Sequence, residues 1–194
     1  MRASWFLCVC LLAGCSYKPY SEDPVALYVP YVTGDSRGQF TDRLIRTLST
    51  AGHFMITSKD LAELTLYASI ISNEQHPIGY MRHRQDTTGR VKNNLIATES
   101  RRSLSVEITL KRGEEVVFGP AQIKASTEYD YVDSDSLYDL TFINAQGQRE
   151  KVIKFSLGQL DSIEGAQDDA LTPLYDALAK KISDGLIMVK PEGV

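Results

Sequence analysis

Apolar and polar residues alternate with a period of two through three stretches of the chain. From Ser103 to Leu110, Leu104, Val106, Ile108 and Leu110 fall on one face and Ser103, Ser105, Glu107 and Thr109 on the other. From Gln122 to Tyr131, Ile123, Ala125, Thr127, Tyr129 and Tyr131 oppose Gln122, Lys124, Ser126, Glu128 and Asp130. Leu64 to Ile70 sets Leu64, Leu66, Ala68 and Ile70 against Thr65, Tyr67 and Ser69. This period predicts strands of a sheet with one buried and one polar face. Arg112-Gly113-Glu114 reads as a hairpin turn. A further hairpin is predicted at Ala145-Gln146-Gly147-Gln148, flanked by Leu140 to Asn144 and Lys151 to Leu157.

Elsewhere the period is that of a helix. Leu171, Leu174, Tyr175, Leu178, Ile182 and Leu186 recur at three- and four-residue steps and predict one helix from Asp168 to Met188. Its acidic residues Asp168 and Asp169 lie toward the positive end of the helix dipole, Lys180 and Lys181 toward the negative end. A second helix follows the turn Gly34 to Gly38, with Ser36 and Gln39 at capping-box spacing and Phe40, Leu44, Ile45 and Leu48 on one face. Gly52 stops it. Short apolar runs at Val25 to Tyr31 and Phe54 to Thr57 bracket this helix, the order expected of two parallel strands joined by a crossover. Pro30 cannot donate to a ladder, which puts it at a sheet edge or near a strand end. The expected fold is α+β: two helices packed on one face of a mostly antiparallel mixed sheet.

The N-terminus changes the picture from a plain globular domain to an exported one. Arg2 precedes an apolar core, Trp5 to Ala13, too short to span a bilayer, which takes roughly 20 residues. Leu12-Ala13-Gly14-Cys15 then completes a lipobox, so residues 1–14 read as a cleaved signal peptide and Cys15 as the lipidated residue. Acyl chains on Cys15 supply a stable membrane anchor. Residues 15–24, polar and holding two prolines, form a flexible tether, and 25–190 a single two-layer α/β domain. Ser16 beside the modified cysteine points to the outer membrane, with the domain facing the periplasm.

Cys8, Cys10 and Cys15 all lie at or before the cleavage point, leaving no thiol in the mature domain for disulfides, metal or catalysis. The charge of 21 cations against 25 anions becomes −5 once Arg2 is removed (20 minus 25), which gives no support to nucleic acid as a partner. The histidines His53, His76 and His83 lack metal spacing, and Asp130, Asp133, Asp135 and Asp139 lack the glycine and glutamate of a calcium loop. No cofactor and no enzymatic activity are expected. The segment Arg82 to Arg102 differs from its surroundings. Arg82, Arg84, Arg90, Lys92, Arg101 and Arg102 against Asp86 and Glu99 give six minus two, or +4, in an acidic protein. Guanidinium forks of this kind bind lipid phosphates. A solvated loop with strand-end charges is the plainer reading of the same composition.

Several blocks carry a resemblance to a known family. They are Leu27-Tyr28-Val29-Pro30-Tyr31 with Gly34-Asp35 before the helix, Ala62-Glu63-Leu64-Thr65-Leu66, and Phe155-Ser156-Leu157-Gly158-Gln159-Leu160. To these are added Thr172-Pro173-Leu174 and Leu178-Ala179-Lys180-Lys181-Ile182. With the lipobox and the element order, the chain resembles the LptE-type lipopolysaccharide-assembly lipoproteins, particularly their divergent chlamydial-type members. The segments Pro77 to Ser100 and Val132 to Ile163 are longer than in the enterobacterial pattern. The resemblance implies a domain seated in the lumen of a large outer-membrane β-barrel, assisting barrel assembly and handling lipopolysaccharide. Barrel lumens are lined with polar side chains, which suits a polar sheet face. A free-standing periplasmic lipid or peptide carrier, or an auxiliary lipoprotein of an inner-membrane transporter, is the alternative. A spacious apolar pocket between sheet and helices favours the carrier, and a filled core favours the plug.

Overall fold

The structure is a computed structural model and describes residues 24–82, 88, 90–131, 141–151 and 163–188. Cys15, the tether, Arg84, Asp133, Asp135 and the flanks Leu140 and 152–157 of the last hairpin lie outside the described residues. In chain order the elements are β1 (Val25–Tyr28), α1 (Gln39–Thr50), β2 (Phe54–Ile56), a 3-10 turn (Lys59–Leu61), β3 (Leu64–Met81), β4 (Ile96–Arg112) and β5 (Glu115–Asp130). β6 (Thr141–Ile143), β7 (Arg149–Lys151), α2 (Ile163–Asp169) and α3 (Leu171–Met188) complete them.

Five strands form one sheet in the order β2-β1-β3-β4-β5. β1 runs parallel to β2 and β3, and β3, β4 and β5 are antiparallel neighbours. This is the mixed, mostly antiparallel sheet that the periodicity predicts. β6 and β7 pair as a separate hairpin around Ala145–Gln148. β1 is an interior strand, and it ends at Tyr28 so that Pro30 lies beyond its ladder. That is the strand-end alternative for Pro30 and excludes the edge.

Helices α1 and α3 cover one face of the sheet. Leu27, Leu64, Leu66, Leu104, Val106, Ile108 and Leu110 meet Phe40, Leu44, Leu48, Leu174, Leu178 and Ile182 in a single cluster, all nearly or fully buried. Phe40 and Tyr175 pack with ring centroids 5.4 Å apart. Outside this core, Arg37–Asp168 (3.0 Å) ties the turn before α1 to α2, and Arg43–Asp176 (3.1 Å) ties α1 to α3. Both pairs are exposed, so each contributes at most about 1 kcal/mol.

Three local expectations are corrected. Ser36 and Gln39 form no capping box, because the residue before α1 is Gly38 in a left-handed conformation and makes no side-chain cap. Asp35 takes that role from one turn away, its Oδ2 accepting from Thr41 N and Thr41 Oγ1, each at 2.8 Å. The helix predicted as one unit from Asp168 is two, broken at Ala170. Pro173 is the reason: it has no N–H to give the carbonyl of Asp169, and its ring crowds that carbonyl, so Pro173 fits only in the first turn of a new helix. Ala166, Ala170, Leu171 and Leu174 are nonetheless all buried, so one apolar stripe runs through the break. Finally, β3 and β4 are 18 and 17 residues long, far beyond their alternating stretches, and account for much of the segment Pro77 to Ser100.

Leu178 tests this packing most directly. Leu178→Ala is expected to lower unfolding free energy by about 2–5 kcal/mol, the range for a large core truncation. Lys180→Ala, two residues on and exposed on the opposite face of α3, is expected to stay within about 0.5 kcal/mol. Guanidinium unfolding of both variants, read by far-UV circular dichroism, checks the contrast.

Candidate functional site

Two surfaces lie outside the core: the uncovered face of the sheet and the far end of the β3–β4 hairpin. Register puts Thr65, Tyr67, Ser69, Ser103, Ser105, Glu107, Thr109, Gln122, Lys124 and Ser126 on the uncovered face. Hydroxyls, charges and the Gln122 amide make every position polar, a wet, hydrogen-bonding surface, as its sequence period predicts. Ser103 and Ser105 are buried even so, since small side chains in a central strand are shaded by longer neighbours.

The hairpin extends past the helices. Arg102 marks the level of α2, with Nη1 donating to the carbonyl of Gln167 (3.0 Å) and Nε to Asn73 Oδ1 (3.1 Å). Beyond its partner Gln75, β3 continues for six residues to Met81, about 20 Å at a strand rise of roughly 3.3 Å. Tyr80, Met81, Val91 and Leu95 are exposed there. Arg82 and Arg90 share this end; Arg82 Nη1 donates to Asn93 Oδ1 (3.3 Å) and the Arg90 N–H to Thr88 Oγ1 (3.3 Å). Lys92 is exposed beside them. The far end therefore combines apolar surface with cationic heads.

The six basic residues singled out from the sequence do not form one cluster. Arg82, Arg90 and Lys92 lie at the hairpin end, and Arg84 is outside the described residues. Arg101 and Arg102 are neighbours in β4 and so point to opposite faces. Arg101 lies against Glu128 directly across the ladder, with Nε and Nη2 2.9 and 2.5 Å from Oε1. Arg102 joins α2 to the sheet and works as a structural brace.

Beside Arg102, Tyr129 and Tyr131 stack at 6.0 Å on the helix-covered side, and Ser100 Oγ donates to Tyr131 OH (3.3 Å). Burial pushes the Tyr129 phenol up from its ordinary value, opposed by the nearby Ser100 and Arg102. Its hydroxyl is enclosed and, among the described residues, has no hydrogen-bond partner. Both tyrosines are half-buried at the margin of the core. Asp130 is exposed at the end of β5. Among the described residues no three His, Cys, Asp or Glu side chains gather as a metal site.

A third feature escaped sequence reasoning. From Tyr28↔Thr65 to the bridge Thr33↔Ser69, the chain takes five steps along the β1 side but four along β3. The surplus residue bows Val29 to Val32 out of the ladder before Thr33 N rejoins Ala68 O (3.1 Å) and Ile70 N rejoins Thr33 O (2.8 Å). The detour leaves an open notch of about 320 Å³ between Tyr31, Tyr67, Ser69, Glu107 and Thr109. Only pairing register reveals it.

Fold and surfaces together define a class: a two-layer α+β domain with a packed core, one hydroxyl-rich sheet face and a projecting hairpin. The profile of LptE, described as lipopolysaccharide-assembly, matches residues 25–186, and the chain belongs to that family. Membership makes it an assembly protein and not an enzyme. A search of curated proteins finds no match. Among solved structures it is similar to a minor lipoprotein from Acinetobacter baumannii (12% identity, 86% of this chain and 91% of that one, TM-score 0.42). It is also similar to lipoprotein B from Nitrosomonas europaea (12%, 82% and 79%, 0.45) and the rare lipoprotein B from Shewanella oneidensis (12%, 85% and 96%, 0.42). Overlap this loose transfers no function.

Proposed function

We propose that this protein is an outer-membrane lipoprotein that assists lipopolysaccharide transport and assembly as the plug and assembly partner of a large β-barrel. The observation that carries the reading is the family match over residues 25–186, nearly the whole domain. Residues 1–14 are the cleaved signal peptide, Cys15 bears the acyl chains, 15–24 are the tether and 25–190 the domain. Within the family we place it beside the divergent chlamydial-type members, on the sequence blocks given above. Two observations support the plug over the free carrier. The space between sheet and helices is packed by fully buried leucines, and the sheet face away from them is polar as a barrel lumen is.

Lipopolysaccharide contact belongs at the hairpin end in this reading. Apolar Tyr80, Met81, Val91 and Leu95 face acyl chains, while Arg82, Arg90 and Lys92 face phosphates, Arg84 being a further candidate from the sequence alone. Arg101 and Arg102 border that region with their polar groups already engaged. Affinity capture of the native lipoprotein after crosslinking, followed by mass spectrometry of its partners, tests the barrel role. A large outer-membrane barrel is expected; recovery of the chain alone in every detergent would count against it. Replacing Arg82, Arg90 and Lys92 with alanine is expected to weaken lipopolysaccharide binding tenfold or more, at about 1.5–3 kcal/mol per lost charged hydrogen bond, with barrel capture retained. Arg101→Ala/Arg102→Ala is expected to weaken binding less. Surface-immobilised lipopolysaccharide gives both affinities.

A further inference from the structure

We propose that the notch between Tyr31, Tyr67 and Glu107 receives an arginine or lysine side chain presented by the protein partner. The partner's being a barrel rests on the function proposed above; the chemistry of the notch does not.

Three observations carry it. Glu107 stands in the centre of the polar face, opposite neutral Ser69 on β3 and neutral Gln122 on β5. It is exposed and forms no ion pair among the described residues, although Lys111 and Lys124 share its face. By contrast Arg101 and Glu128, on the same face, satisfy each other. An unpaired carboxylate beside aromatic rings makes a negative recess, since ring faces add their own attraction for cations. Second, the Tyr31 ring is fixed in advance. The Tyr31 hydroxyl donates to the Asp35 carbonyl, and its ring lies where a Cβ on Gly38 would come within 3.4 Å. Tyr67 has Lys111 Nζ 5.6 Å from its ring centroid, so this ring already attracts a cation within the chain. Tyr31, 60% exposed, is thus held in place without being buried, and Tyr67, 45% exposed, lines the opposite side. Such preorganisation lowers the entropy cost of binding. Third, the recess exists because the chain carries one surplus residue between Tyr28 and Thr33, and at about 320 Å³ it admits one long side chain from above.

The test has two arms. Amide chemical shifts of Ser69, Glu107 and Thr109 are followed as acetyl-Gly-Arg-Gly-amide is added to the full lipoprotein in detergent, with the citrulline peptide and maltose as neutral probes. Saturable shifts with the arginine peptide alone, at least tenfold weaker in Glu107→Gln, are expected. Equal shifts with citrulline, a preference for maltose, no shifts up to 100-fold molar excess over roughly millimolar protein, or unaltered binding in Glu107→Gln each overturn the proposal. In cells, a photo-crosslinker replacing Tyr67 is expected to capture a partner peptide containing arginine or lysine, and Glu107→Arg to abolish that crosslink while Glu107→Asp preserves it. Should no barrel be captured by any route, the proposed function fails while the titration still decides the notch. A captured barrel whose crosslink is indifferent to Glu107→Arg refutes the notch and leaves the function standing.

Discussion

Asp35→Ala is expected to lower the unfolding free energy by about 2–4 kcal/mol, because its carboxylate holds the start of α1 while only its backbone carbonyl reaches Tyr31 of the notch. Its carboxylate is 3% exposed and accepts two hydrogen bonds of 2.8 Å, from Thr41 N and Thr41 Oγ1. Thr41 Oγ1 in turn accepts from Val32 N (3.2 Å), and the Asp35 carbonyl accepts from Gly38 N (3.3 Å) and from Tyr31. Removing the carboxylate strands a buried N–H in the first turn of α1 and loses a negative charge at the positive end of the helix dipole. Leaving one buried donor unpaired costs about 1–3 kcal/mol, and charged acceptors lie at the upper end. Asp35→Asn keeps an acceptor and is expected to recover about half of the loss. Ser36→Ala is expected to change stability by less than about 0.5 kcal/mol, because Ser36 caps nothing. For a domain of this size the alanine variant lowers Tm by roughly 4–16 °C, at 2–4 °C per kcal/mol. Thermal melts of the three variants decide it, and a Ser36→Ala loss matching that of Asp35→Ala would reverse the assignment.

The exchange of Ser36 for Asp35 shows where sequence reasoning reached its limit. Both residues belong to the same polar turn, and a capping spacing of Ser36 with Gln39 is as good locally as the longer reach from Asp35 to Thr41. Only the return of the chain to β3 at Thr33 fixes the turn, by burying Asp35 and leaving Ser36 in solvent. The period of two was readable from Leu104 to Leu110 because the helices bury one face there. It fades beyond Ile70 and before Ser100, where β3 and β4 leave the helical layer and no burial enforces an alternation. Pro77 and Gly79 also disguised the strand, and the register shifts at Pro77, Gly79 and Tyr80 show how the ladder accommodates them. Glu107 looked like any polar-face residue. Its setting depends on which residues stand opposite it and on a one-residue surplus between Tyr28 and Thr33, more than seventy positions earlier in the chain, neither of which periodicity carries.

Gly119→Ala is expected to be strongly damaging, costing more than about 3 kcal/mol. Between Ile108↔Ala121 and Leu110↔Phe118, β5 takes three steps for two on β4, a bulge that lets the outer strand bend around the central one. Gly119 sits inside that bulge at φ +98°, where L side chains are strained by roughly 1–2 kcal/mol. The larger effect is steric. A Cβ there would stand 2.5 Å from the Ile108 carbonyl oxygen and 3.1 Å from Thr109 Cα. Both are backbone atoms of a strand whose Ile108 and Leu110 side chains are locked in the core, so the neighbour cannot yield without disturbing the packing under α3. Gly113→Ala provides the comparison, since Gly113 also has positive φ (+59°) but nothing lies within 4 Å of its added methyl. That variant carries the conformational strain alone and is expected to lose only about 1 kcal/mol. Chemical denaturation ranks the two, and faster hydrogen exchange at Ile108 to Leu110 in Gly119→Ala locates the damage in the β4–β5 ladder. Equal losses in both variants would mean that φ strain dominates and that β5 gives way easily; the bulge would then be a loose edge and not part of what holds the central strand in register.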